Sequence, residues 1–259
     1  MKYVIALCLI LQGLVVTADP VSIDAQIVLI GETHDNPVHH ETQARIVAQI
    51  APRALVFEML TSDQADLVDV TLISDREKMQ STLDWNASGW PDFAMYHPIF
   101  AAAPDARMYG GAVPRSVLRG VVEGDLMAAF DQPVLYGLDH DLPIKEQAAR
   151  QALQFAAHCD ALPEETLPGM VNVQKLRDAR LAQAAIQALN ETGGPVVVIL
   201  GNGHARKDWG VPRFLRRVAP DASVWVVGQS EDGNAPDGGF DQIIDAPTLQ
   251  RPDPCAAFK

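Results

Sequence analysis

Six short apolar runs, separated by longer amphipathic segments, constrain the fold of this chain more than any other feature. They are AQIVLIG (25–31), ALVFEM (54–59), ARMYGG (106–111), PVVVILG (195–201), SVWVVG (223–228) and FDQIID (240–245). The last of these has the weakest strand pattern. Most are apolar on both alternating faces, which indicates strands that are covered on both sides. Such strands are typical of a largely parallel sheet flanked by helices.

Helical patterns lie between these runs. Asn36 is a good cap with Pro37 at the first helical position, and this predicts a helix that continues to about Ile50. A second helix is predicted through residues 170–190, where Gly193 and Gly194 follow it, and a third begins at Pro212. Alternating strands and helices predict an α/β fold with right-handed crossovers.

The middle of the chain has a different pattern. Residues 114–168 are mostly helical in character, apart from a possible strand at PVLYG (133–137). We therefore predict a smaller helical annex at 114–168, attached to an α/β sheet domain made of residues 19–113 and 169–259.

The N-terminus has the pattern of a secretory signal peptide over residues 1–18. Lys2 precedes a mostly apolar stretch that is too short to span a bilayer comfortably, and Ala18 ends a segment that suits cleavage. The alternatives are a hydrophobic strand or an uncleaved anchor. Cys8 follows Leu7 rather than a small residue, which argues against lipidation. The pattern predicts a periplasmic or otherwise exported protein.

Removal of the signal peptide leaves two cysteines, Cys159 and Cys255. In an oxidising compartment two such thiols commonly pair, so we predict a disulfide that ties down the Pro-rich tail. The alternative is a pair of small unpaired apolar residues.

The acidic composition argues against two classes of partner. The chain has 20 Lys and Arg against 33 Asp and Glu, a formal net charge of −13. Nucleic acid and anionic membrane surfaces both favour basic faces, so we expect neither as a partner. We also expect no stable membrane insertion after signal removal.

Polar residues follow three of the predicted strands at their carboxyl ends. Glu32 and His34 follow the first, Glu58 follows the second, and His204 follows the fourth. Ligands bind at this edge of open α/β sheets, so the four side chains predict a shared cleft. Carboxylates with imidazoles form either a general acid/base set or a divalent-metal site. Each residue alone is equally consistent with an exposed or helix-bonded side chain.

Further candidates for ligand contact lie on the neighbouring segments. Some of them are equally consistent with a core or solvent-exposed position, but tyrosine and histidine are also possible axial ligands of haem iron, and arginine can bind a carboxylate at two points. The candidates are His39 and His40 on the first helix, Tyr96 and His97 in the aromatic stretch 84–100, Tyr109 and Arg177.

These residues resemble a known family. LIGETHDNPVHHETQ, the Glu of ALVFEML, the aromatic stretch and ILGNGHARKDWGVP resemble the ChaN-like haem-binding uptake proteins, which share a superfamily with Tiki proteases and erythromycin esterases. The resemblance implies haem or iron handling at the bacterial envelope, with haem bound by a dimer through tyrosine and histidine. In the hydrolase relatives the positions matching Glu32, His34, Glu58 and His204 form the reaction centre. The chain departs from ChaN in lacking a lipobox.

Two main hypotheses follow. The first is a non-enzymatic periplasmic haem-binding protein, a possible homodimer, in which the six further candidates contact haem or another small planar ligand. The second is a hydrolase that uses Glu32, His34, Glu58 and His204 as catalytic residues or as ligands of a divalent metal. A third is a binding module whose former catalytic residues now only hold a ligand. No G-x-S-x-G motif is present, which disfavours a serine hydrolase.

Overall fold

A computed structural model of the chain describes residues 24–256, so the predicted signal peptide lies outside the described residues. The strands are β1 (Ile27–Glu32), β2 (Ala54–Phe57), β3 (Arg107–Gly110), β4 (Val196–Gly201), β5 (Val224–Glu231) and β6 (Gln242–Ala246). They form one sheet in the order β3-β2-β4-β1-β5-β6, and every neighbouring pair is parallel. The prediction of a largely parallel α/β sheet is confirmed, including its weak sixth strand.

Helices cover both faces of this sheet. They are α1 (Pro37–Ile50), α2 (Ser62–Asp66), α3 (Val70–Ile73), α4 (Arg76–Thr82), α5 (Trp85–Ser88), α6 (Phe93–Ala101), α7 (Arg115–Val122), α8 (Pro133–Tyr136), α9 (Ile144–Ala157), α10 (Leu167–Thr192), α11 (Asn202–Ala205) and α12 (Val211–Val218), with a 3₁₀ turn at Glu164–Thr166. Asn36 caps α1 by accepting the Val38 N–H at 3.0 Å, and Gly193 ends α10 in a left-handed conformation, as predicted.

Two apolar layers lie on opposite faces of the sheet. Successive residues of a strand point to opposite sides, so Leu29 joins the layer under α10 while Val28 joins the layer under α1 and α6. Both residues are fully buried, as are their neighbours on β4. The central strands therefore need apolar residues at every position, which explains the uninterrupted runs in the sequence.

The segment PVLYG is a helix, and its prediction as a possible strand is wrong. Pro133 occupies the first turn of α8, where its missing N–H and fixed φ suit a helix start. Gly137 ends the helix with φ 71°. Tyr136 is buried in the same apolar layer as α10, so tertiary packing also favours the helical turn.

The predicted helical annex contains α7, α8 and α9. α7 and α9 pack against α10. Val121, Phe130 and Tyr136 from this segment belong to the apolar layer that covers the sheet. The segment thus shares its core with the sheet, and the division of the chain into a sheet domain and an annex stays a prediction.

Cys159 and Cys255 are joined by a disulfide, with their Cα atoms 5.3 Å apart. The bridge holds the C-terminal tail next to the end of α9, as the sequence analysis expects. In the described part of the chain, no helix combines the length and apolar character needed to cross a membrane.

Candidate functional site

The backbone brings three polar strand ends to one edge of the sheet. Glu32 at the end of β1 is level with Gly201 at the end of β4. β2 pairs with the other side of β4, and Glu58 directly follows it. The short helix α11 then carries His204 back towards the same edge. Because β4 lies between β1 and β2, residues from three distant parts of the sequence become neighbours.

Glu58 is the centre of the first polar group. Its Oε2 accepts the N–H of Gly201 at 2.7 Å, and its Oε1 accepts a hydrogen bond from Arg177 at 2.5 Å. His204 Nε2 lies 3.4 Å from the same Oε1. Burial alone would raise the pKa of Glu58, but the nearby charges of His204 and Arg177 outweigh it and the pKa is lowered. Glu58 is therefore held as a carboxylate.

Asp178 extends this group on the far side of His204. His204 Nδ1 donates to Asp178 Oδ1 at 2.6 Å, and both side chains are buried. Burial raises the pKa of Asp178 even though His204 opposes the shift. Asp178 is not among the site residues predicted from the sequence, although a signal was present. Asp178 lies on the same stripe of α10 as Val171 and Leu181, where an acid is unexpected.

Glu32 is the centre of the second polar group. Its Oε1 accepts hydrogen bonds from His34 Nδ1 at 2.7 Å and from the Tyr96 hydroxyl at 2.9 Å. Its Oε2 lies 3.4 Å from His40 Nδ1. Tyr96 and His40 are almost completely buried, so both approach Glu32 from inside the protein, although Glu32 Oε2 and His40 Nδ1 have no hydrogen-bond partner among the described residues. Burial and the negative charge of Glu32 raise the pKa of Tyr96 far above its ordinary value.

His34 connects the two groups. A Cβ atom added to Gly201 would lie 2.9 Å from His34 Nε2 and 3.7 Å from Glu58 Oε2, so glycine leaves room for the imidazole. The His34 side chain is 35% exposed and contacts the Trp90 ring edge-on, with centroids 4.9 Å apart. Burial lowers the pKa of His34, but the hydrogen bond to Glu32 and the charge of Glu58 outweigh it and the pKa is raised.

An open cleft of about 450 Å³ lies directly beside these groups. The polar groups reach the cleft through Glu58 and Arg177. The apolar wall of the cleft is formed by Trp90, Pro114 and Leu118. Arg115, on the same wall, donates to the carbonyl of Ser88 at 2.8 Å. A cleft of this size with apolar walls and a few polar groups suits a small organic ligand.

The structure places the sequence-derived candidates in two classes. Glu32, His34, Glu58 and His204 lie together at the strand ends, joined by Tyr96, His40 and Arg177. The remaining three have structural partners elsewhere: Nδ1 of His39 accepts the Thr33 N–H, His97 donates to the Ile73 carbonyl, and Tyr109 donates to Glu191 near the far end of α10.

The described side chains do not form a ligand set for a divalent metal ion on its own. Within residues 24–256, no group of three or more His, Cys, Asp or Glu side chains is arranged to hold a metal ion. Oε1 of Glu32 and both oxygens of Glu58 already accept hydrogen bonds from tyrosine, histidine, arginine and backbone donors.

A family model and one solved structure agree with this fold. A family model described as haem-binding uptake, Tiki superfamily, ChaN matches residues 22–215. A solved structure described as cofacial heme binding to ChaN of Campylobacter jejuni has a TM-score of 0.61 at 18% identity, and the match covers 80% of this chain and 82% of that chain. The type III effector HopBA1 has a TM-score of 0.46 at 14% identity, covering 86% and 88%. No curated protein gives a significant match.

At 18% identity the likeness to the Campylobacter jejuni structure shows a shared fold. The family match is stronger evidence than the structural likeness, because it spans well over half of the chain and includes Glu32, His34, Glu58 and His204. The chain therefore belongs to the ChaN family of haem-binding uptake proteins, within the Tiki superfamily.

Proposed function

We propose that this protein is an exported bacterial haem-binding protein that acts in haem or iron uptake at the periplasmic side of the envelope. Membership of the ChaN family supports the ligand class. The signal-peptide pattern and the Cys159–Cys255 bridge support an oxidising compartment. The observation that carries the proposal is the His34 imidazole, which is fixed by Glu32 and contacts Trp90 on the wall of the open cleft.

His34 has the features of an axial ligand. Its Nδ1 is committed to Glu32, which leaves Nε2 as the donor nitrogen, and a carboxylate partner of this kind orients a metal-bound histidine and raises its basicity. Within the described residues, no hydrogen bond engages His34 Nε2. His34 would hold the iron of a bound haem through this nitrogen.

The surrounding residues suit a porphyrin better than a small polar ligand. Trp90 presents an indole next to His34, and Leu118 and Pro114 extend the apolar wall. Arg115 and Arg177 place two guanidinium groups on the cleft for propionate carboxylates. A homodimer that encloses haem between two such clefts is part of the proposal, because the family resemblance implies it.

Tyr96 and Tyr109 fit the axial role less well. Iron is bound by a phenolate, whereas burial and the charge of Glu32 hold the pKa of Tyr96 far above its ordinary value. Tyr109 is buried beneath α10, and burial together with its hydrogen bond to Glu191 raises its pKa to about 12. Both hydroxyls already have carboxylate partners, Glu32 inside the protein and Glu191 at the surface.

The test is a haemin titration followed through the Soret band. Wild type is expected to saturate at a fixed stoichiometry, and His34→Ala is expected to lose the band or shift it, because the axial nitrogen is gone. His140→Ala is the matched control, since its imidazole is 62% exposed and lies elsewhere on the surface. Equal spectra for wild type and His34→Ala would overturn the role of His34. Haemin spectra no different from those with an unrelated acidic protein would overturn haem binding itself.

A hydrolase is the second candidate function, and the buried chain from Glu58 through His204 to Asp178 favours it. Glu58 is held as a carboxylate at the edge of the cleft and has the geometry of a base for a water molecule. Arg177 and the Gly201 N–H hold this carboxylate in place, and Asp178 orients His204. The substrate class would be an ester or amide carbonyl.

Activated ester hydrolysis tests this second candidate. If the protein is a hydrolase, the Glu58→Gln variant is expected to lose ester hydrolysis. Its haemin spectrum is expected to match that of wild type. Loss of ester hydrolysis in His34→Ala but not in Glu58→Gln would contradict this arrangement. No ester hydrolysis above buffer would leave the haem-binding function standing alone.

A further inference from the structure

A second cavity, of about 160 Å³, lies on the opposite side of α10 from the cleft. Lys175 lines this cavity and Arg177 lines the cleft, and two residues of a helix are separated by roughly 200° around its axis. The cavity is enclosed by α8, α9, α10 and α12. Four of its ten lining residues are cationic, namely Arg150, Lys175, Arg213 and Arg217. This concentration contrasts with the formal net charge of −13 on the whole chain.

Lys175 is the buried cation of this set whose charge is least neutralised by nearby carboxylates. Its side chain is buried, with 7% of the residue exposed, and its ammonium donates to the His140 carbonyl at 3.2 Å. Within residues 24–256 it forms no ion pair with a carboxylate. Burial and the charges of Arg150 and Arg213 lower its pKa, while Asp141 and Asp139 offset part of this effect. A buried cation without a close counter-ion is unfavourable unless a ligand neutralises it.

Arg150 has an unused donor in the same place. It is 5% exposed, and its Nε is buried without a hydrogen-bond partner among the described residues. Its terminal nitrogen donates to Glu146 Oε1 at 2.5 Å, and Arg213 donates to that same oxygen at 2.5 Å. One carboxylate oxygen thus serves two guanidinium groups. Arg217 already donates to the carbonyls of Leu135 and Val134, so the spare donors of the cavity are Arg150 Nε and the remaining hydrogens of the Lys175 ammonium.

We infer that this cavity binds a compact dianion of the phosphate class, carried by a small organic molecule. Arg150, Lys175, Arg213 and Arg217 provide the positive charges, against Asp141 on the lining and the shared Glu146. A dianion balances this excess better than a single carboxylate does. Tyr136, Leu142 and Phe214 line the same cavity and suit a short apolar or sugar-like portion. The volume is well below that of the cleft, so the ligand is smaller than a porphyrin.

The test is thermal unfolding in inorganic phosphate, compared with sodium chloride and sodium acetate at equal ionic strength. Wild type is expected to gain about 2–4 °C in Tm once phosphate exceeds its dissociation constant about fivefold. Lys175→Met should lose this gain and keep its fold, because methionine fills a similar volume without the buried charge. Lys145→Met is the matched control, since it removes one exposed positive charge from α9 and should behave as wild type.

Three outcomes would overturn the inference. They are a phosphate effect no larger than that of chloride, an equal effect of acetate, and an undiminished phosphate effect in Lys175→Met. If Lys175→Met does not fold, Arg217→Gln replaces it, because Arg217 is an exposed cation at the rim and its loss should weaken the phosphate effect. Haemin spectra should be unchanged in all these variants, which separates failure at this cavity from failure of the proposed haem binding.

Discussion

Asp178 accepts a hydrogen bond from His204 Nδ1 at 2.6 Å, although the two residues lie on different helices and both are buried. Asp178 thereby fixes which ring nitrogen of His204 faces Glu58. The pair links α10 to the strand end that carries α11. Because of this hydrogen bond, Asp178, a residue inside the long helix α10, belongs to the polar group at the sheet edge.

Asp178→Ala is expected to lower the free energy of unfolding by about 2–3 kcal/mol, because it leaves a buried imidazole donor without its partner. Urea unfolding measures the change. Asp131→Ala is the control, since Asp131 is 60% exposed in its pair with Arg180 and such surface pairs contribute about 0–1 kcal/mol. Equal losses of unfolding free energy in the two variants would show that the Asp178–His204 contact contributes no more than a surface ion pair.

Gly201→Ala is expected to weaken haemin binding at least tenfold with a much smaller change in stability. The added Cβ would lie 2.9 Å from His34 Nε2, so the imidazole has to move from its position. Gly203→Ala is a close control two residues away, where an added Cβ meets no atom within 4 Å. Haemin titrations of both variants make the comparison. Equal affinity in the two would place the haem away from His34.

The stability contributed by His34 is expected to depend on pH. The folded-state pKa of His34 is raised above its unfolded value near 6.5, so its contribution is fully present below pH 6.5 and is lost as the pH rises through the folded-state pKa. The difference in unfolding free energy between wild type and His34→Gln should therefore be larger at pH 5.5 than at pH 8.5. Urea unfolding at both pH values tests it, and a larger difference at pH 8.5 would contradict the sign.

Tyr96→Phe and Tyr109→Phe are expected to leave the Soret position unchanged. Both hydroxyls donate to carboxylates of this chain, and both pKa values are raised, so neither supplies a phenolate to iron. Tyr96→Phe should still cost about 1 kcal/mol of stability, because Glu32 loses a buried hydrogen bond. A Soret shift in either variant would identify that tyrosine as a ligand.

Protein recovered from the periplasm is expected to carry Cys159 and Cys255 in the oxidised form. Alkylation without reductant should modify neither residue, and modification of both would contradict the bridge. Cys255→Ser is expected to lower stability by about 2–4 kcal/mol, because the bridge closes a loop across 96 residues. Thermal unfolding with and without reductant provides an independent measurement.

The strands and the polar residues at their ends were predictable because parallel packing leaves a strong local pattern. Each central strand is apolar up to its carboxyl end, and the polar residue that ends or follows it has to lie at the carboxyl edge of the sheet. Asn36 and Gly193 likewise predicted helix ends from their own chemistry.

Side-chain partners were less predictable, because they depend on contacts between distant segments. His39 and His40 are adjacent in the sequence, yet only His40 faces Glu32. Asp178 was overlooked because a charge on a long helix is usually exposed. PVLYG was misassigned because an apolar run of five residues suits either a strand or a helical turn, and packing of Tyr136 decides between them.

The position of β4 between β1 and β2 has a consequence for the order in which the sheet can assemble. During synthesis, β1, β2 and β3 all precede β4, yet β1 has only β4 and β5 as neighbours. A chain truncated before Val196 therefore offers β1 no strand to pair with, and Glu32 stays apart from Glu58. The nascent protein therefore cannot complete its sheet until β4, in the last quarter of the chain, has emerged.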